Sequence, residues 1–305
     1  ANVVCYNTAI SACGKAGKWE KALELLRAIP AVGLQPDTYS YGAALSACEN
    51  AAQWQTAESL LDEMTVRENL EPNEFCLAAV LSAYEKGGEW ERALALFREI
   101  KSGDRFKAAP NIVHYNAAIT AAARGGQWAE ALAVFHHAQV AGSGVSPDLI
   151  TYTATIEALE AAAREDEAME LMFDARDRGL FGNAWNSLYL VDLNEYSAPV
   201  ANAIMRCILS DLKNGVRAPA DIEVVAGQTF RDTRFENAGR RGKTTVLPQE
   251  VREFMRACSG MVMLGRRARG LLQEATNPKA EDLAPGWLLL EERAIVNWLN
   301  GLGSS

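Results

Sequence analysis

The sequence predicts a mainly α-helical fold, a right-handed α-solenoid of helical-hairpin repeats followed by a small α/β domain, and three observations carry that expectation. Trp19, Trp54, Trp90 and Trp128 each stand three residues before an alanine (Ala22, Ala57, Ala93, Ala131), at intervals of 35, 36 and 38 residues. The text around them recurs as YNTAISACGKAGKWEKALELL, YGAALSACENAAQWQTAESLL, LAAVLSAYEKGGEWERALALF and YNAAITAAARGGQWAEALAVF. After residue 183 the period stops and short apolar runs of strand character take over. A fixed period of this length means stacked helical hairpins, because one hairpin alone cannot bury its apolar face.

Each repeat resolves into two helices. In the first unit Tyr6, Ile10 and Cys13 follow helical spacing and Gly14 and Gly17 interrupt the chain. From Trp19 to Ile29 a second run then puts Ala22, Leu23, Leu26 and Ile29 on one face. The hairpin closes on GLQPD, and the closing text returns as LEPN at 70–73, APN at 109–111 and VSPD at 145–148. Proline cannot continue the outgoing helix, and the Asp or Asn after it is a strong N-cap for the next one. Counted from the residue after that cap, residues 1–183 hold five repeats, 3–37, 38–73, 74–111, 112–148 and 149–183. The fifth is degenerate, with Glu165 in the tryptophan's place and GLFGN in place of the proline turn.

Residues 184–305 read differently. SLYLVDL (187–193) has strand character, APVANAIMRCILSDLKNG after Ser197 is a helix, and DIEVVAG (221–227) is a second strand, together a βαβ unit. A Gly/Arg-rich loop, a helix in PQEVREFMRAC and a closing run GWLLLEERAIVNWLN follow. GRRGKT at 239–244 imitates a phosphate loop, but Asn237 stands where its first glycine belongs.

Several function classes fall away. No run approaches the roughly 18 consecutive apolar residues of a spanning helix, so no membrane span is expected. The six cysteines (5, 13, 48, 76, 207, 258) form no CxxC pair and have no histidine companions at metal spacing, so no metal or other cofactor is expected. They read as reduced, core-filling side chains, and His114, His136 and His137 as packing or surface residues. Charge is uneven. Residues 1–187 carry 15 Lys/Arg against 25 Asp/Glu, whereas 231–270 hold ten basic side chains against four acidic ones. An acidic solenoid repels a polyanion unless its groove is locally neutral, which weighs against tight non-specific nucleic-acid binding by the repeats.

The YN near the start of the first helix and the terminal PD or PN resemble pentatricopeptide repeats over residues 1–183. The resemblance implies that successive repeats bind successive bases of single-stranded RNA. The fifth and last residues of a repeat would select the base, and the second would pack against it. The implied base-reading pairs are Asn7 with Asp37, Asn116 with Asp148 and Thr153 with Asn183, the first two favouring uridine and the third adenosine. Gly42 with Asn73 and Ala78 with Asn111 complete the set, but Gly42 and Ala78 have no side-chain group to read an edge. The implied base-stacking residues are Val4, Tyr39, Phe75, Val113 and Ile150, with Trp185 at the next such place. Asp37, Asn73, Asn111 and Asp148 serve as N-caps whether or not RNA binds.

The order of elements in 188–300 resembles the small MutS-related domain that follows some pentatricopeptide arrays. Its LDxH motif appears as Val191-Asp192-Leu193-Asn194, without the histidine, and its TGxG turn as Ala226-Gly227-Gln228-Thr229. Asn194 cannot titrate near neutral pH, so no catalysis is expected. Arg240, Arg241 and Lys243 are the expected phosphate-binding residues. The function expected is an organellar single-stranded RNA-binding protein acting in RNA processing, stabilisation or translation, the plastid favoured over the mitochondrion. The alternative is a non-catalytic scaffold docking with protein subunits of a larger organellar complex. Val3 begins a repeat directly, so upstream repeats and a targeting peptide outside this chain are also expected.

Overall fold

The computed structural model describes residues 2–140, 144–182, 190–193, 196–217, 222–225, 263–264, 287–290 and 295–296. Five helical hairpins run in chain order. They are α1 (Val3–Lys15) with α2 (Trp19–Ala31), α3 (Thr38–Asn50) with α4 (Trp54–Asp62, running on as a π-turn over Glu63–Arg67), α5 (Glu74–Gly87) with α6 (Trp90–Ser102), α7 (Ile112–Arg124) with α8 (Trp128–Gln139), and α9 (Leu149–Ala161) with α10 (Glu165–Asp177). Strand β1 (Leu190–Asp192), helix α11 (Ala198–Lys213) and strands β2 (Ile222–Val225), β3 (Met263–Leu264) and β4 (Trp287–Leu290) follow.

The start of each first helix is dictated by the residue after the proline turn. Asn2, Asp37, Asn73, Asn111 and Asp148 each place a side-chain oxygen on a backbone N–H two or three residues on, at Cys5, Ser40, Cys76, His114 and Thr151. Those amides would otherwise be orphaned at the helix end. The hairpin turn is equally regular. A left-handed residue two places before the tryptophan (Gly17, Ala52, Gly88 or Gly126, and Ala163 in the fifth repeat) reverses the chain. The next N–H then returns to a carbonyl of the first helix, as in Gln53 to Cys48 at 2.9 Å and Gln127 to Ala122 at 2.8 Å.

The two compact units are Ala1–Ala158 and Leu159–Ser305. In the first, α1 packs on α3, α3 on α5 and α5 on α7, while α2, α4 and α6 each lie against their own first helix and the next one, and α8 lies against α7. The core is an alternation of small and large side chains. Ala22, Ala57, Ala93 and Ala131, three residues after each tryptophan, are fully buried. The tryptophans cross from repeat to repeat. A Cβ at Gly87 would stand 2.4 Å from Cδ1 of Trp54, and one at Gly125 the same distance from Cδ1 of Trp90. Glycine is therefore what lets each indole lie on the following repeat.

The rings are only half-buried, however, which lowers the cost of losing one below that of a fully buried tryptophan. Trp90→Ala should cost on the order of 2–3 kcal/mol and unfold the neighbouring hairpins together. A urea melt of Trp90→Ala coincident with that of the parent would refute this stacking register.

The units divide within α9, not at 183, where the sequence period changes. The physical reason is that α10 packs on α11. Residues Val200 to Leu209 are buried without a break, so α11 is a core helix rather than an amphipathic surface one. Cys207 Sγ–H donates to the Met169 carbonyl (3.8 Å), and Arg176 reaches Asp211 at 2.7 Å. Arg206, 6% exposed, pairs with the equally buried Glu160 and also with Glu165 at 3.0 Å. Strands β1 and β2 pair in parallel, Val191 opposite Val224, and β4 lies antiparallel to both β2 and β3, giving the order β1-β2-β4-β3.

Candidate nucleic-acid interface

The first turns of α1, α3, α5, α7 and α9 bring one row of side chains to the surface. Val4, Tyr39, Phe75, Val113 and Ile150, the second residues of their repeats, are between 53% and 74% exposed. Large apolar side chains held in water at equivalent places in five helices form a ladder of flat or branched surfaces at one-repeat spacing. Trp185 lies outside the described residues, as do Asn183, Arg240, Arg241 and Lys243.

One turn further along each helix comes the fifth residue. Asn7 donates from Nδ2 to Asp37 Oδ1 at 3.0 Å, and Ser40 Oγ donates to Asn7 Oδ1 at 2.6 Å. The fourth repeat repeats the arrangement. Asn116 Nδ2 lies 3.2 Å and 3.3 Å from the two Asp148 carboxylate oxygens, and Thr151 Oγ1 donates to Asn116 Oδ1 at 2.6 Å. Two of the three predicted base-reading pairs are thus brought together, and Asn183 of the third lies outside the described residues. Partial burial pushes the Asp37 carboxyl up, but hydrogen bonds from Ser40 and Asn7 outweigh it and hold the group below its ordinary range. The cap stays ionised and keeps the Asn7 amide facing it.

Repeats two and three lack this arrangement. A Cβ at Gly42 would lie 3.3 Å from the Phe75 ring and 3.4 Å from Cys76 Sγ, so the space beside it is already filled from the next repeat. In the third repeat Asn111 turns its amide away to Glu74 Oε2 at 2.8 Å. Its backbone N–H instead donates to Nδ1 of the fully buried His114 (3.0 Å), whose Nε2–H then donates to the Glu74 carbonyl at 3.0 Å. Thr153 is half-buried at the matching place of the fifth repeat.

Sequence reasoning read Asp37 and Asp148 as caps and base readers but missed the hydroxyls that lock them. The available signal was the capping box, Asp37 to Ser40 and Asp148 to Thr151 at a spacing of three. It also treated His114 as one packing histidine among three, whereas its ring carries a buried pair of hydrogen bonds.

Burial lowers the His114 pKa, with the Glu74 carbonyl and carboxylate pulling the other way. The folded chain therefore keeps the imidazole neutral where the unfolded chain would take up a proton. Its contribution to stability is complete above about pH 6.5 and is lost as the pH falls below that value toward the depressed folded pKa. Urea melts at pH 7.5 and 5.5 should show a larger loss in the parent than in His114→Gln. Equal losses would place the pH dependence elsewhere.

The first helices also join at their far ends, where Lys86 reaches Glu49 and Arg124 reaches Glu85, each at 2.9 Å. Burial raises the Glu85 pKa against the opposing pull of Arg124. These cations already face carboxylates, and the first five residues of α1, α3, α5, α7 and α9 include no Lys or Arg. Among the described residues no group of three His, Cys, Asp or Glu side chains is placed to hold a metal ion, and no helix is long and apolar enough to cross a membrane.

Hairpins of two helices stacked first helix on first helix, with a repeated cap and a repeated surface row, define a helical-repeat solenoid. The PPR repeat family matches residues 1–50, and the Pentatricopeptide repeat domain matches 59–124 and 105–161, together half of the chain. The chain therefore belongs to the pentatricopeptide-repeat proteins. Among the solved structures that share its fold are two of this family. The PPR domain of Arabidopsis thaliana protein-only RNase P 1, in complex with tRNA, is 20% identical over 58% of this chain and 91% of that one, with a TM-score of 0.50. The pentatricopeptide repeat protein PPR10 from maize is 21% identical over 84% of this chain, with a TM-score of 0.51. This chain spans 34% of that protein's length. No curated protein matches the sequence.

Proposed function

We propose that this chain binds single-stranded RNA along the first turns of α1, α3, α5, α7 and α9, as an organellar protein of RNA processing, stabilisation or translation. The observation that carries the reading is the repeated pairing of an exposed apolar second residue with a fifth residue one turn away. The first offers a face on which a base can stack, and the second offers an edge to read. Asn7 with Asp37 and Asn116 with Asp148 are the uridine readers, and Thr153 with Asn183 prefers adenosine. Repeats two and three hold their bases without choosing among them, Tyr39 and Phe75 serving as the stacking platforms. The relative solved with tRNA supports RNA as the ligand class of this fold.

Residues 184–305 are read as a MutS-related domain in which Arg240, Arg241 and Lys243 hold the adjoining backbone. Catalysis is not part of the proposal, since Asn194 stands where the motif histidine would be. Because the first turns carry no cation, the repeats contribute stacking and hydrogen bonds, and phosphate attraction falls to the ten basic residues of 231–270. Removing one cation that neutralises a phosphate of a single strand flattens the dependence of log K on log salt by about 0.7.

Two variants separate these contributions in a fluorescence-anisotropy titration of the full chain with a synthetic oligoribonucleotide. Phe75→Ala should weaken binding by about 1–3 kcal/mol for any base at the third place, with the salt slope unchanged. Arg240→Ala should flatten the slope and leave base preference intact. Undiminished affinity in Phe75→Ala would remove the proposed binding face.

A further inference from the structure

We propose that the third residue of each following repeat, Ser40 after the first and Thr151 after the fourth, is a positioning residue that decides whether the repeat before it can select a base. The inference rests on the RNA-binding reading above and adds to it a residue that the paired fifth and last positions do not include.

Thr151 Oγ1 accepts the Asp148 backbone N–H at 3.0 Å and has two acceptors in reach of its single proton, Asn116 Oδ1 at 2.6 Å and Asp148 Oδ1 at 2.9 Å, the nearer being the amide oxygen. Asn116 returns one Nδ2 proton to the Asp148 carboxylate, which also accepts the Thr151 N–H at 2.9 Å. With that proton on the nearer acceptor the ring of bonds is closed and fixes the orientation of the amide. One N–H on Nδ2 and one lone pair on Oδ1 remain free, in a fixed order. Uracil presents a ring N–H beside a carbonyl and matches such an edge. Cytosine presents an acceptor beside an amino group and does not. Ser40 closes the same ring around Asn7 and Asp37, accepting the Asp37 N–H at 3.1 Å. Ser40 and Thr151 are both fully buried, so neither touches a base, and any effect on base choice must pass through the asparagine.

Repeats two and three supply the converse. Where the fifth residue is Ala78, the third residue of the next repeat is His114. Its Nδ1 takes the Asn111 N–H and its only proton goes to the Glu74 carbonyl, so it has none to give to an amide. Where the fifth residue is Gly42, Cys76 fills the place and its thiol is turned to the Thr38 carbonyl at 3.8 Å. An asparagine set into repeat three would find its capping partner but no hydroxyl.

The test uses the full chain and synthetic oligoribonucleotides with uridine or cytidine opposite repeat four. Thr151→Val keeps the shape and removes the hydroxyl, and should reduce the uridine-over-cytidine preference by about tenfold. Thr151→Ser should restore it. Thermal melts of both variants separate this from loss of fold, because a purely structural role would lower affinity for both RNAs alike. A second arm works by gain of function. Ala78→Asn with Asn111→Asp should acquire no uridine preference at the third base, whereas the same pair with His114→Ser should. Full preference in Thr151→Val, or equal gain with and without His114→Ser, overturns the proposal while leaving RNA binding standing. Failure of the parent to distinguish uridine from cytidine at the fourth base overturns it together with the base-reading claim.

Discussion

Tyr115→Ala is expected to destabilise the repeat unit by on the order of 3–5 kcal/mol, among the largest effects available to a single side chain there. The ring is fully buried and joins three helices. It meets Phe97 of α6 edge-on, with centroids 4.9 Å apart, and stacks on His137 of α8 at 5.8 Å. Its hydroxyl shares a hydrogen bond with His137 Nδ1 at 2.6 Å. Truncation would leave a cavity that rigid neighbouring helices cannot close. Tyr115→Phe removes only the hydroxyl, and because His137 is partly open to water the loss should be near 1 kcal/mol. Denaturant unfolding followed by circular dichroism measures both, and similar midpoints for Tyr115→Ala and Tyr115→Phe would contradict this packing.

The second large effect belongs to the buried ion pair of Glu160 and Arg206. Glu160→Leu should cost about 3 kcal/mol, because it leaves a guanidinium in the core with only the half-exposed Glu165 facing it and its Nε without a partner. Arg206→Met should cost less. Burial already pushes the Glu160 pKa up against the pull of Arg206, so an abandoned carboxylate can take a proton, whereas arginine cannot give one up. The asymmetry has its own signature. The stability of Arg206→Met should rise as pH is lowered toward 5, since protonation relieves the stranded carboxylate, and Glu160→Leu should show no such gain. Equal costs without this pH response would mean that water reaches the pair.

The hairpins were legible because their causes are local. A proline followed by Asp or Asn stops one helix and caps the next through atoms two or three residues away, and an alanine three places after tryptophan marks the buried stripe. The first-turn row was legible for the same reason, since a helix puts residues two and five on one face. What escaped the sequence depends on which repeat lies against which. Gly87 and Gly125 prove to be the floor on which Trp54 and Trp90 of the previous repeat lie. His114 differs from the two other histidines only through Asn111 and Glu74, the latter 40 residues away. Arg206 looks like an ordinary helix-surface arginine until Glu160, 46 residues earlier, is brought against it. That pairing also explains why the compact units divide within α9 and not where the repeat period ends. Among the second residues the sequence distinguished aromatic from aliphatic, but only the structure shows all five standing in water.

The central claim is that successive repeats read successive bases, and the most direct measurement is a binding titration of the intact chain against oligoribonucleotides of the pattern U-N-N-U-A. The account predicts that changing the fourth uridine to cytidine weakens binding by about 1–3 kcal/mol, that Asn116→Ala abolishes that difference, and that changing the second or third base has no comparable effect. Equal affinity for uridine and cytidine at the fourth place in the parent chain, at moderate salt, would contradict it.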